Sequence, residues 1–395
     1  MTSTDLHPKT ADDVLAAVKW AAGEETPIEI IGQGTKRALG KPTQTAHTLD
    51  LSALTGVTLF EPEELVLSAR AGTPLAEIDK LLDDANQEFQ FEPVDLGPLL
   101  GQKPGQGTLG GLVNTNFAGP RRLKSGSARD HILGISAVSG RGEVFKSGGR
   151  VVKNVTGYDL SKGVTGAWGT LAVLTDITMK VLPRAETEKT LVLEGLDDAK
   201  AAAAMALAMG SNAEVSGAAH LPAGVDGDKA ATCFRLEGFK PSVEYRIANL
   251  SKLLSDFGKH EQITEAGSRK RWAALRDCLP FADDQTSTVW RISCTPTEGH
   301  RIVADLKSGI DCSAFYDWQG GLIWLNVIGG DAQAEAVRLA VSRNGGGHAT
   351  LIRADAATRQ SVDVFEPQPK ALAALSKRYR ENFDPHGILN PGRMG

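Results

Sequence analysis

Residues 27 to 40 read PIEIIGQGTKRALG, a run in which Ile28 to Ile31 has the make-up of a short buried strand and passes directly into Gly32-Gln33-Gly34-Thr35-Lys36. Glycines placed after a strand let successive backbone N–H groups point at one anion with no Cβ in the way. Thr35 adds a hydroxyl donor, and Lys36 or Arg37 adds positive charge. The loop therefore suits a diphosphate, although a strand-to-helix turn with two glycines also serves as nothing more than a turn. No third glycine follows at the spacing of a dinucleotide fingerprint and no Walker motif is present, so nicotinamide and ATP are poor expectations.

Working outward, 16 of the 43 glycines fall between Gly101 and Gly169. Within that stretch Gly105-Gln106-Gly107-Thr108-Leu109-Gly110-Gly111-Leu112-Val113-Asn114 places four glycines in seven residues, each costing roughly 0.5–1 kcal/mol against alanine in a helix. A bound ligand is a reason to keep them. Two further constellations follow, KSGSARD at 124–130 and GGRVVKNVTGYDLSKGVTGAWGTLAVL at 148–174, whose spacing alone encodes no one reaction.

Periodicity predicts a helix over 11–23 and strands over 65–70, 132–138, 142–146 and 170–182, with Pro183 closing a first domain. Beyond it, strands are expected near Thr190, Glu214, Thr232 and Gln262 around helices at 197–209 and 241–257. A similar order returns over 288–353, so each half resembles a split β-α-β-β-α-β unit. SRKRWAALRD reads as an amphipathic helix with Trp272 and Leu275 inward. The division is residues 1–183, 184–369 and a tail, 370–395, expected to dock back on the first domain.

The composition, 41% hydrophobic and 23% charged with a net charge of -5, is that of a globular chain without a nucleic-acid footprint. Cys233, Cys278, Cys294 and Cys312 form no CxxC pair, so neither zinc nor an iron–sulfur cluster is expected and they read as thiols in a reducing compartment. No metal site is expected. The N-terminal residues lack a basic region followed by an apolar core, and the longest apolar tract is about half a membrane span. The expectation is a cytoplasmic protein without direct membrane insertion, associated with a membrane only through partners.

The order GQGTK, GTLGG, SGSARD, GRVVKNVTGYDLSKGVTG, GTLAVLT and finally FDPHGILNPGRM resembles the vanillyl-alcohol-oxidase, or PCMH-type, FAD-binding family. Within it the chain is similar to the FAD-binding subunits of glycolate oxidase. The resemblance implies an α+β fold: a PCMH-type FAD-binding domain of two α/β subdomains, and a cap whose mainly antiparallel sheet is covered by helices. It implies that Gly32, Gln33, Gly34, Thr35 and Lys36, with Gly107, Thr108, Leu109, Gly110, Gly111 and Asn114, clasp the pyrophosphate and approach the isoalloxazine. Ser127 and Asp130 would line the ribityl side, Thr170 and Val173 would bond the adenosine end, and Asn390 would return beneath the ring. Thr35-Lys36 stands where relatives with covalent flavin carry histidine, so FAD would be held non-covalently.

The pattern also departs from its catalytic relatives. The cap contains no H-x-G-D-G-N-x-H string, and Gly166-Ala167-Trp168-Gly169 stands where those subunits have Gly-Ser-Glu-Gly. Removing hydride from a 2-hydroxyacid needs a base at the hydroxyl and a cation for the carboxylate. The base candidate is His348, and the further candidates are Arg291, Arg353, Lys153 and Tyr158. The resemblance thus implies an FAD subunit that relays or supports electron flow in a complex with a catalytic flavin subunit and an iron–sulfur subunit, the complex acting on a small 2-hydroxyacid such as glycolate or D-lactate. A self-sufficient FAD-dependent 2-hydroxyacid oxidoreductase and a cofactor-free scaffold are the alternatives.

Overall fold

The computed structural model describes residues 4–151 and 157–395. The chain opens with a parallel three-stranded sheet, β1 (Thr4–Leu6), β2 (Ile28–Ile31) and β3 (His47–Asp50), in the order β1-β3-β2. The helix Ala11–Gly23 connects β1 to β2. Its start is fixed by a capping box, in which the Thr10 hydroxyl accepts from Asp13 N and the Asp13 carboxylate accepts from Thr10 N. Val14, Val18 and Ala21, at helical spacing, bury its inner face against Ile28, Leu49 and Val173.

Next come β4 (Val57–Glu61), β5 (Val66–Arg70), β6 (Gln87–Glu88), β7 (Ile132–Ser139), β8 (Val144–Gly148), β9 (Ala172–Lys180) and β10 (Leu182–Pro183). Five of them form an antiparallel sheet in the order β4-β5-β9-β7-β8, and β6 pairs with β10. The expected strand over 142–146 begins only at Val144, because Gly142, at φ +70°, belongs to the preceding turn.

The remaining eight strands are β11 (Thr187–Glu194), β12 (Gly217–Leu221), β13 (Ala231–Gly238), β14 (His260–Thr264), β15 (Thr288–Cys294), β16 (Cys312–Asp317), β17 (Leu322–Val327) and β18 (Gly347–Arg353). They form one antiparallel sheet ordered β14-β11-β13-β12-β16-β17-β15-β18. Numbering each run of four from its own first strand gives 4-1-3-2 twice, joined at β12 and β16, so the duplicated element order read from the sequence is a duplicated topology. The strand expected near Glu214 starts three residues later, since Glu214 itself sits at φ +51° in a turn.

Both faces of the central strands of this sheet are covered, and β12, β16 and β17 are buried along most of their length. Leu191, Leu193, Phe234 and Leu236 meet the helices Asp198–Met209 and Lys240–Leu253, while Trp290, Ile292 and Leu325 meet Gly299–Lys307 and Ala334–Arg343. The alternate residues, among them Val192, Cys233, Phe315 and Trp324, turn the other way and pack on Leu39, Val94, Leu99 and Phe117 of the first region. Trp272 and Leu275 point inward from the helix Glu265–Arg276 into the same core.

Candidate FAD site

The first glycine loop leaves β2 and folds over itself, with Arg37 N donating to Gly34 O at 3.1 Å and Gly34 at φ +73°, a conformation that disfavours any Cβ. The second loop runs antiparallel to residues 71–75. Gly110 N donates to Ala71 O, Leu109 N to Thr73 O and Leu75 N to Gly107 O. Thr108 then caps the helix Leu109–Thr115 through Gly111 N. The two loops touch, since a Cβ on Gly32 would stand 2.6 Å from Thr108 Oγ1, and the second loop lies hard against residues 71–75, since a Cβ on Gly110 would stand 2.9 Å from Ala71 O. Glycine is required there by close approach.

Between the loops lies a cavity that opens to solvent. Gly32, Gln33, Gly34, Thr35 and Lys36 line it from one side and Thr108, Gly110, Gly111 and Asn114 from the other, with Asn390 entering from the tail. The tail is docked as a strand would be. Ile28 N donates to Ile388 O, Asn390 N to Ile28 O, and Asn390 Oδ1 accepts from Ile30 N at 2.7 Å. Asn390 Nδ2 reaches Trp168 O at 2.8 Å, and Asn114 Oδ1 accepts from Gly169 N. Two asparagine side chains thus tie the tail, β2 and the 166–169 turn around one opening.

Lys36 is the cation of this site. It forms no ion pair among the described residues, its pKa is lowered by burial, and Asp95 acts on it only at a distance. Its Nζ lies 3.6 Å from where a Cβ of Gly111 would be, squarely between the loops. An ammonium held this way, in a cradle that a Cβ would fill, fits a bound diphosphate.

The other expected residues are placed differently. Gly107 sits at the edge of a second, charged cavity between the cap and the first region, which also reaches Lys36. Leu109 is fully buried in the core below its loop. Val173 is buried under the helix Ala11–Gly23, whereas its neighbour Leu174, on the opposite face of β9, lines the cavity. Ser127 and Asp130 bond each other in a capping box, and Thr170 Oγ1 donates to Ala167 O; none of the three lines the cavity. His348 stands near the start of edge strand β18, outside the cavity, with a pKa lowered by partial desolvation and by Arg291. Arg353 is spent on structure, donating to the carbonyls of Ser287, Leu99 and Phe281. Tyr158 is 93% exposed, and Lys153 lies outside the described residues.

Trp168 and Arg393 line the cavity without having been singled out for it, while Arg37, the alternative to Lys36 as the charge of the loop, lines it paired with Glu29. Arg393 donates to Glu29 Oε1 at 2.8 Å and to the carbonyls of Arg37 and Leu39, clamping the far end of the first loop. Its place in the tail motif FDPHGILNPGRM was the available signal.

Residues 4–148 match the model of the FAD binding domain family. Over 96% of both chains the sequence is 35% identical to glycolate oxidase subunit GlcE of Escherichia coli K12. The chain belongs to the GlcE family. Its cofactor is FAD, and the family is one of FAD-dependent oxidoreductases. A D-lactate dehydrogenase of Archaeoglobus fulgidus is 32% identical over 45% of this chain and 38% of its own length. Among solved structures, p-cresol methylhydroxylase superposes with a TM-score of 0.72 at 16% identity, covering 99% of this chain and 88% of that one, which establishes the shared PCMH-type fold. Among the described residues no helix is long and apolar enough to cross a membrane.

Proposed function

We propose that this chain is the FAD-holding subunit of a glycolate-oxidising complex, in which it supports or relays electron flow beside a catalytic flavin subunit and an iron–sulfur subunit. The observation that carries the reading is the convergence of both glycine loops and Asn390 on one cavity around the unpaired Lys36. FAD, once bound, accepts the two electrons of a hydride. The chain's own residues do the holding: Lys36 and Thr35 face the phosphates, the bare backbone of Gly32 lets the first loop close on Thr108, that of Gly110 seats the second loop on Ala71, and Asn390 fixes the tail across the opening. Attachment is non-covalent, since no histidine lines this cavity among the described residues. Residues 1–183 with the tail 370–395 form the FAD-binding unit, and 184–369 form the cap. The cap's lack of a metal-binding histidine string favours a partner as the main catalytic site, with glycolate or D-lactate as the acid oxidised. The complex acts in the cytoplasm or at a membrane reached through its partners.

The test begins with the purified full-length chain. It is expected to be yellow, to release all its flavin as FAD into the supernatant on acid precipitation, and to co-purify from its native cell with a second flavin chain and an iron–sulfur chain. Flavin retained in the acid pellet contradicts non-covalent binding. A lone monomer whose flavin bleaches on anaerobic addition of glycolate favours the self-sufficient enzyme instead.

A further inference from the structure

Arginines buried in this protein are bonded. Arg235 pairs with Glu92, Arg246 donates to the carbonyls of Ala213 and Glu237, and Arg359 and Arg393 donate to the carbonyls of Gly40 and Leu39. Arg291 differs. It projects from the middle of β15 on the face that meets the first region, opposite Trp324 of β17 and Thr350 of β18. Its guanidinium is boxed by aromatic rings, 4.8 Å from Trp318, 5.6 Å from Phe117 and 6.0 Å from Trp324. No hydrogen bond or ion pair satisfies it among the described residues. The buried Asp317 carboxyl acts on it only at a distance and is itself engaged by Trp318 N at 2.7 Å.

A second guanidinium stands on the same indole: Arg122, exposed and without an acidic partner among the described residues, lies 5.0 Å from the Trp318 ring. Two cations on one indole repel each other, and that repulsion adds to burial in lowering the Arg291 pKa. Aromatic faces offset part of the cost of partly burying a guanidinium but leave its planar fork of donors free. The fork suits a carboxylate held in two parallel hydrogen bonds. His348 is on the same face of the sheet, two residues from Thr350 and opposite Ser293. Phe117, which Arg291 covers, touches Trp168 at 5.9 Å, and Trp168 is a wall of the FAD cavity.

We propose that Arg291 and Arg122 form a receptor for one small carboxylate, one aromatic layer from the FAD cavity. The reading above is needed only to name the acid, a 2-hydroxyacid or its 2-oxoacid product. Trp318 sets the spacing of the two guanidinium groups, and His348 borders the site as a group able to bond the second oxygen function of the acid.

The probe is oxalate, which carries the carboxylate but no oxidisable hydroxyl, titrated calorimetrically into the full-length chain with and without FAD. One equivalent is expected to bind. Arg291→Met and Arg122→Met are each expected to weaken binding roughly tenfold to a hundredfold, while Arg343→Met, on an exposed helix end, leaves it unchanged. Arg291→Lys, which keeps the charge and loses the fork, is expected to fall between the parent and Arg291→Met, and serves if the methionine variant does not fold. Absence of oxalate binding by the parent, or undiminished binding by folded Arg291→Met, overturns the proposal. A chain that holds FAD but takes up no oxalate removes the receptor and leaves the FAD-subunit reading standing. A chain that binds oxalate but no FAD does the reverse.

Discussion

Single residues here are placed against their electrostatic interest, which makes them testable. Lys36 is an ammonium whose pKa is lowered by burial and which has no ion-pair partner among the described residues. Replacing it with methionine removes about 1.5–3 kcal/mol of charge-assisted bonding to a diphosphate, so the FAD dissociation constant should rise roughly tenfold to a hundredfold. The apoprotein should melt no lower than the parent, because the cost of burying the charge goes too. Flavin fluorescence titration and thermal melting read the two effects separately. Asp317 is the opposite case, a buried carboxyl whose pKa burial raises to about 7 while Trp318 N pulls it down. Because its folded pKa is raised, its contribution to stability is complete below the ordinary carboxylate range and is lost as pH rises through about 7. Melting temperatures at pH 5 and pH 8 should therefore show Asp317→Asn gaining on the parent at the higher pH; an unchanged difference would contradict the assignment. Lys36 was legible from residue types in PIEIIGQGTKRALG, but its isolation was not, because pairing depends on which distant acids the fold brings near.

The element that decides the site is the C-terminal tail. Asn390 sits at φ +44° and uses its amide in both directions, accepting from Ile30 N at 2.7 Å and donating to Trp168 O at 2.8 Å. Asn390→Ala leaves a buried N–H and a buried carbonyl unpaired, at about 2–4 kcal/mol together. Asn390→Asp keeps the acceptor for Ile30 N but sets a charged oxygen against Trp168 O, so denaturant unfolding should rank the parent above both variants. Removing residues 384–395 takes away this tie together with the Arg393 clamp on the first loop. The truncated chain should lose FAD on gel filtration while the parent retains it. The strand-like pairing of residues 388–390 with β2 could not be read from periodicity, since it spans three residues and joins positions some 360 apart in sequence.

Across the whole molecule, the cap is locked to the first region by ions as well as by apolar packing. Arg121 reaches Glu88 at 3.2 Å, Glu92 at 3.7 Å and Glu237, while Arg235 of β13 bonds Glu92 at 2.7 Å. Burial works against the Glu237 charge, but Arg235 and Arg121 outweigh it and hold that carboxyl down at about 2. Glu92 is lowered by the same two arginines against its burial. Both therefore contribute stability that is full above the ordinary glutamate value and lost as pH falls from there toward about 2. Calorimetric scans should show the melting temperature falling across that window. Arg121→Met, which leaves Glu92 and Glu237 to share Arg235 alone, should cost about 3–5 kcal/mol at neutral pH and flatten the acid limb.

What the sequence determined by itself was local in origin. The strand before the first glycine loop and the two β-α-β-β-α-β orders in the second half of the chain follow from periodicity and turn residues within short windows. The tertiary structure alone decided which of the residues in those windows faces the cavity. Leu109 and Val173 turn into cores while Gly110 and Leu174 beside them line the cavity, since neighbours along a helix or strand point to different sides. It also decided which charges go unpaired: Arg291 alternates on β15 like a solvated residue, yet the first region closes over that face with Phe117 and brings no acid to meet it. Pairing between residues far apart in sequence is set by three-dimensional proximity, which a linear pattern does not carry.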